Sequence, residues 1–200
     1  MHHPFHCIPD FEFSSTLDAF DHLLEQDRPI AGVLIDVDGV LMAVEPGHPP
    51  PVVGENVDPA VLDKLAAVHE RYGTCIVTNR IKRDDFDPES LESVFGVPVV
   101  RNVAPKPSRE IFHAGLDVLG VPTVDANRTV MVGDSSYFDA YGASVAGLIV
   151  FQVAQDRMRY PLPQMVGKLA ADGVQSTCKL LYRGYRFLPG PRDERRERPG

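Results

Sequence analysis

The sequence predicts an α/β fold, a mainly parallel central sheet covered on both faces by helices, and three observations carry that expectation. Short apolar runs such as Ile30-Ala31-Gly32-Val33-Leu34-Ile35 and Thr129-Val130-Met131-Val132 suit strands buried on both faces. These runs alternate with segments of helical periodicity, the pattern of parallel strands joined by crossover helices. Asp36, Thr78 and Asp134 stand where three of the runs stop, and parallel sheets gather ligand chemistry at the carboxyl ends of their strands.

Taken in order, residues 14–26 read as a helix, with Ser14, Ser15 or Thr16 as cap and Leu17, Phe20, Leu23 and Leu24 on one face. Pro29 ends it, and the first apolar run follows and stops at Asp36-Val37-Asp38-Gly39. Residues 44–59, rich in Pro, Gly and Val, read as a loop or small flap. Residues 59–72 form a helix with Pro59 at its start and an apolar stripe of Val61, Leu62, Leu65 and Val68. Gly73 closes it, and Thr74-Cys75-Ile76-Val77-Thr78 reads as a second buried strand. A short helix over 88–95, a strand at 97–100 and a helix over 107–119 come next. The strand at 129–132 runs into Gly133-Asp134, and a helix near 138–145 and a strand near 148–153 complete the pattern. The chain divides into an N-terminal extension with a helix (1–29), a core (30–177) and a basic tail (178–200).

Hydrophobic residues make up 44% of the 200 and charged residues 24%, enough apolar material for a packed core. The net charge of −8 argues against a general nucleic-acid binder, which carries a basic footprint. That charge is uneven: residues 178–200 hold seven basic against three acidic side chains, so the tail carries +4 and the rest −12. Three widely spaced cysteines, Cys7, Cys75 and Cys178, imply no disulfide framework. No apolar run reaches the ~18–20 residues that span a bilayer, and the N-terminus lacks the pattern of a signal peptide. A reducing, cytoplasmic location is the expectation. His2, His3, His6 and Cys7 resemble a metal cluster in composition only, and are read as non-functional.

Asp36 and Asp38 are two apart in extended chain, so both carboxylates can reach one site. Phosphoryl transfer needs a nucleophile, a proton donor for the leaving oxygen and positive charge on the remaining oxygens. A carboxylate facing a phosphate dianion is repelled unless a cation lies between them, and hard oxygen ligands such as Asp36 and Asp134 favour Mg²⁺. Gly39 lets backbone approach a phosphate oxygen. Thr78-Asn79 offers a hydroxyl and backbone N–H groups, and the Lys106 ammonium balances Asp36 and the transferring group. Asp134 is expected to touch the metal directly, with Asp139 behind it holding the ligands in place. Each feature alone is commonplace in turns and caps; their order along an alternating pattern gives them weight.

With these residues in place, the chain resembles the haloacid dehalogenase (HAD) superfamily of phosphohydrolases. The motifs are Asp36-Val37-Asp38-Gly39-Val40-Leu41, Ile76-Val77-Thr78-Asn79, Lys106-Pro107 and Val132-Gly133-Asp134-Ser135-Ser136-Tyr137-Phe138-Asp139. The resemblance implies a Rossmann-like three-layer sandwich with minimal or no cap, and an aspartyl-phosphate formed on Asp36. It implies that Asp38 protonates the leaving group and then activates water. It also implies Mg²⁺ held by Asp36, the Asp38 backbone carbonyl and Asp134. Aspartate at both ends of the first motif favours a phosphatase over a dehalogenase. Receiver domains combine similar residues, but their acidic pair precedes the phosphorylated aspartate.

The stretches 42–59 and 80–105 are too short for a large cap domain, which leaves an open site suited to a bulky phosphorylated substrate. Arg80, Lys82 and Arg83 either meet a second phosphate or face solvent. The segment 9–41 resembles the start of capless phosphatidylglycerophosphate phosphatases, whereas Ser135-Ser136 and Tyr141-Gly142-Ala143-Ser144 depart from them. The stretch 179–188 interleaves aromatic, aliphatic and basic residues. It suits either peripheral contact with an anionic membrane face or packing on the core. Two alternatives stand beside the lipid phosphatase: a phosphatase of nucleotides or sugar phosphates, and a non-catalytic binding protein on the same fold.

Overall fold

The computed structural model describes residues 8–43, 53–54, 57–82, 86–154 and 173–177. The N-terminal histidines with Cys7, most of the expected flap, Arg83, the Lys82 side chain and the tail 178–200 lie outside the described residues.

Strands β1 (Phe11–Phe13), β2 (Gly32–Ile35), β3 (Thr74–Ile76), β4 (Thr129–Gly133) and β5 (Ile149–Val153) form one sheet in the order β1-β5-β4-β2-β3. Every pairing is parallel. The helices are α1 (Thr16–Glu25), α2 (Pro59–Tyr72), α3 (Pro88–Phe95), α4 (Arg109–Val118) and α5 (Gly142–Val145). Their starts follow local chemistry. Ser15, Asp58, Asp87 and Ser108 each cap a helix by accepting a backbone N–H bond from its first turn. Proline occupies the opening position of α2 and α3, where its missing N–H costs nothing.

Alternation along the strands sorts the helices onto two faces. Val33, Ile35, Val130 and Val132 pack with Phe20 and Leu23 of α1, Leu65 and Val68 of α2, and Leu91 and Phe95 of α3. Leu34, Cys75, Met131 and Val150 point the other way, onto Ile111 and Phe112 of α4 and Ala143 of α5. The three-layer α/β sandwich is therefore the architecture. Burial pushes the Cys75 thiol up to about 12, so this cysteine is a core residue and not a nucleophile.

Four local expectations shift. Residues 11–13, unassigned in the sequence reading, form the edge strand β1 beside β5. Phe11 and Phe13 close on Phe151 with ring centroids 4.9 and 5.0 Å apart. The N-terminal segment thus shares the sheet and its core with the residues that follow. The strand expected at 97–100 is reduced to a single bridge between Val99 and Ile76. The helix expected over 107–119 spans Arg109–Val118, because Ser108 is its cap. The helix near 138–145 is a π-helical turn, Ser136–Tyr141, leading into α5. Its wider coil still turns Asp139 inward, where the residue is 1% exposed.

In this strand order β2 sits between β4 and β3. The chain leaves β2 towards one side and returns on the other, which opens a crevice at the β2 and β4 tips. No bulky domain covers it among the described residues: α3, in the stretch after β3, packs its Leu91 and Phe95 into the main core. No helix among the described residues is long and apolar enough to cross a membrane.

Candidate active site

Asp36 follows β2 directly, and its backbone N–H donates to the Val132 carbonyl at 3.0 Å, locking the strand tip against β4. The chain then turns tightly. The Val37 carbonyl accepts from Leu41 and Met42, both at 2.9 Å, and Gly39 adopts φ 81°, a conformation that strains any residue with a side chain. The Gly39 N–H donates to the Met42 carbonyl at 2.8 Å. The Gly39 N–H, expected to face a phosphate oxygen, here closes the turn. Thr16 ties the turn to α1 by donating to the Val40 carbonyl at 2.8 Å.

Lys106 is 2% exposed and reaches two carboxylates, Asp36 Oδ1 at 2.8 Å and Asp139 Oδ1 at 2.6 Å. Burial alone would favour its neutral amine, but Asp139 and Asp36 outweigh that and hold the ammonium above its ordinary range. Asp139 spends its other oxygen on the β4 tip: Oδ2 accepts from the Asp134 and Ser135 N–H groups at 3.2 and 3.0 Å. Gly133 makes that approach feasible. A Cβ there would lie 2.4 Å from the Asp139 Cβ, so only glycine fits.

Carboxylate oxygens of Asp36, Asp134 and Asp139 lie within 4.8 Å of one another, and all three residues are buried. Two oxygens bound to one small hard cation at ~2.1 Å stand at most ~4.2 Å apart, so the cluster needs little movement to hold one. Asp139 bonds Lys106 and the backbone, and all three acids offer an oxygen that could hold such an ion. The charges point the same way. Asp36, Asp38, Asp134 and Asp139 are four acids beside two bases, Lys106 and Arg80, an excess of negative charge among these residues that a divalent cation would offset. Burial raises the Asp36 carboxyl to about 7; Lys106 opposes the shift, while the charges of Asp139 and Asp38 add to it. A divalent cation beside it would favour the anion.

Thr78, two residues beyond β3, is 1% exposed, and its Oγ1 accepts from the Arg80 N–H at 3.2 Å. The hydroxyl hydrogen remains to donate. Asn79 bears on the lysine, its Nδ2 donating to the Lys106 carbonyl at 3.4 Å. The structure thus gathers Asp36, Lys106, Asp134 and Asp139 into one cluster. Asp38 stands close enough for its charge to bear on Asp36, and Thr78-Asn79 forms the neighbouring wall.

Two features escaped the sequence reading. Arg80 does not face solvent but turns onto a carboxylate. It is 7% exposed and bonded to Asp38, with Nε at 3.0 and 3.2 Å from the two carboxylate oxygens and Nη2 at 2.6 Å from Oδ1. A second polar group supports the loop at Asp134. Gln152 Nε2 donates to the Asp134 carbonyl at 3.4 Å and to Ser136 Oγ at 3.2 Å, and Gln175 Nε2 donates to Gln152 Oε1 at 2.7 Å. The one available signal was an amide within the otherwise apolar strand Ile149–Val153.

A family model described as HAD-hydrolase-like matches residues 103–162, the span holding Lys106, Asp134 and Asp139. Among solved structures, the chain is similar to an uncharacterized protein from Listeria monocytogenes serotype 4b. The identity is 21%, the match covers 64% of this chain and 83% of that one, and the TM-score is 0.47. No curated protein matches the chain.

Proposed function

We propose that this HAD-like α/β hydrolase fold, an all-parallel five-stranded sheet with little cap, is a Mg²⁺-dependent phosphomonoester phosphatase. The observation that carries the reading is the Lys106 ammonium shared between Asp36 and Asp139, with the Asp134 carboxylate within 4.8 Å of both acids. That arrangement supplies a nucleophile, a fixed positive charge and a pair of hard oxygen ligands at one crevice. Asp36, Asp134 and the Asp38 backbone carbonyl would hold the Mg²⁺, which would supply positive charge between the nucleophile and the phosphate dianion.

The chain's own residues then divide the work. An Asp36 oxygen attacks phosphorus as the bond to the leaving oxygen breaks, and Asp38 gives that oxygen its proton. The aspartyl-phosphate is opened by a water whose proton passes to Asp38, which releases phosphate and restores Asp36. Lys106 holds Asp36 in place and offsets charge on the transferring group, while the Thr78 hydroxyl donates to a phosphate oxygen.

The thin covering supports a bulky substrate whose leaving group extends beyond the crevice, with a lipid phosphate such as phosphatidylglycerophosphate as the first candidate. The exposed rings of Tyr137, Phe138 and Tyr141, on the turn that follows Asp134, favour an apolar or amphipathic leaving group. A basic segment at 179–188 resting on an anionic membrane face, from the cytoplasmic side, fits the same reading. The test is phosphate release from a panel holding phosphatidylglycerophosphate in mixed micelles, nucleotides and sugar phosphates, with and without Mg²⁺. Turnover of soluble metabolites alone would remove the lipid reading. Equal, near-zero rates for wild type and Asp36→Asn on every substrate would remove the phosphatase.

A further inference from the structure

Arg80 is bonded to a reacting group but has no task in the scheme above. It sits on the 3₁₀ turn Asn79–Lys82 after β3, and its backbone N–H donates to Thr78 Oγ1 at 3.2 Å. Its guanidinium crosses to Asp38 on the turn after β2, the strand adjacent to β3. Nε meets both carboxylate oxygens, at 3.2 and 3.0 Å, and Nη2 meets Oδ1 at 2.6 Å. A planar fork engaging both oxygens fixes the plane of a carboxylate as well as its position, which a point charge does not. The Arg80 side chain is 7% exposed against 29% for Asp38, so the buried member anchors the more accessible one.

We infer that Arg80 is a positioning residue for Asp38: one strand tip carries the acid/base carboxylate and its neighbour sets that carboxylate's angle towards the leaving oxygen and the attacking water. The inference rests on the phosphatase reading. Arg80 acts through Asp38, so its contribution vanishes when Asp38 is gone. A guanidinium that bound a second anionic group of the substrate would act independently of Asp38 and would show itself in KM.

A double-mutant cycle on the full chain with Mg²⁺ separates these cases. Wild type, Arg80→Lys, Asp38→Asn and the double variant are assayed with a monophosphate ester and with a bisphosphate. Misplacement of a reacting group by about 1 Å costs up to ~10²-fold. Arg80→Lys is therefore expected to lower kcat by about 10–100-fold on both substrates with little change in KM, and to change kcat by less than about twofold in the Asp38→Asn background. Arg80→Gln, which keeps a planar donor, repeats the cycle if the lysine variant loses its native circular dichroism. Additive losses in the double variant, or a KM increase confined to the bisphosphate, overturn the inference while the phosphatase stands. Absence of Asp36-dependent turnover in the wild-type chain overturns both.

Discussion

Replacing Asp36 with Asn should stabilise the metal-free protein while abolishing its turnover. An ordinary aspartate ionises near 3.8, whereas burial places the folded Asp36 at about 7. Between those values the folded chain holds a proton that the unfolded chain has released, so stability falls as pH rises from about 4 and levels off above about 7. Each tenfold change in proton affinity corresponds to 1.36 kcal/mol. Ionising Asp36 at pH 8 therefore costs the folded state up to ~4 kcal/mol, as an upper bound. Asparagine keeps the shape without the charge, and its side-chain oxygen still accepts from Lys106 and from the Val37 N–H that now reaches Asp36 Oδ1 at 2.8 Å. Urea unfolding of wild type and Asp36→Asn, in EDTA, should show a gap of a few kcal/mol at pH 8 that closes towards pH 4. Saturating Mg²⁺ should narrow it at pH 8 by stabilising the wild type through mass action. A wild-type stability that is flat between pH 5 and 8, or a variant no more stable than wild type at pH 8, would refute the reasoning.

Three further outcomes follow from the same geometry. Lys106→Ala leaves Asp139 and Asp36 buried without their cation, so unfolding experiments should register a loss of about 3–5 kcal/mol together with loss of turnover. Mg²⁺ should raise the melting temperature of the wild type in a concentration-dependent way, and Asp134→Asn should erase most of that rise, as read by differential scanning fluorimetry. Gly133→Ala drives a methyl group into Asp139; overpacking of this kind costs typically ~1–3 kcal/mol, and the rate with Mg²⁺ should fall because Asp139 no longer holds both Lys106 and the β4 tip.

Much of the site was legible because it lies at strand tips, and strand tips can be read from where an apolar run stops. Asp36 and Asp134 were placed by that rule, Lys106 as the charge to balance Asp36, and Asp139 as the acidic partner of Asp134. Arg80 was not, because a basic residue after a strand looks the same in sequence whether it meets solvent, substrate or a carboxylate 42 positions earlier. Gly39 was read as a point of close backbone approach to a phosphate oxygen, but the partner of its N–H depended on how tightly residues 37–42 close. The strand at 11–13 was missed because three residues carry too little periodicity, and only pairing with β5 makes them a strand.

By itself, the sequence determined the class of fold and the chemical character of the site. Binary patterning dictates which residues must be buried together, and acids placed at the ends of buried runs must emerge at one edge of the sheet. Only the tertiary structure decided which charges meet. Lys106 is shared between Asp36 and Asp139, Arg80 is turned onto Asp38, and Asp36 is buried deeply enough to resist ionising without a cation. The physical reason is range: patterning acts over a few residues, whereas ion pairing and desolvation depend on distances between groups that the chain brings together from 33 and 42 positions apart.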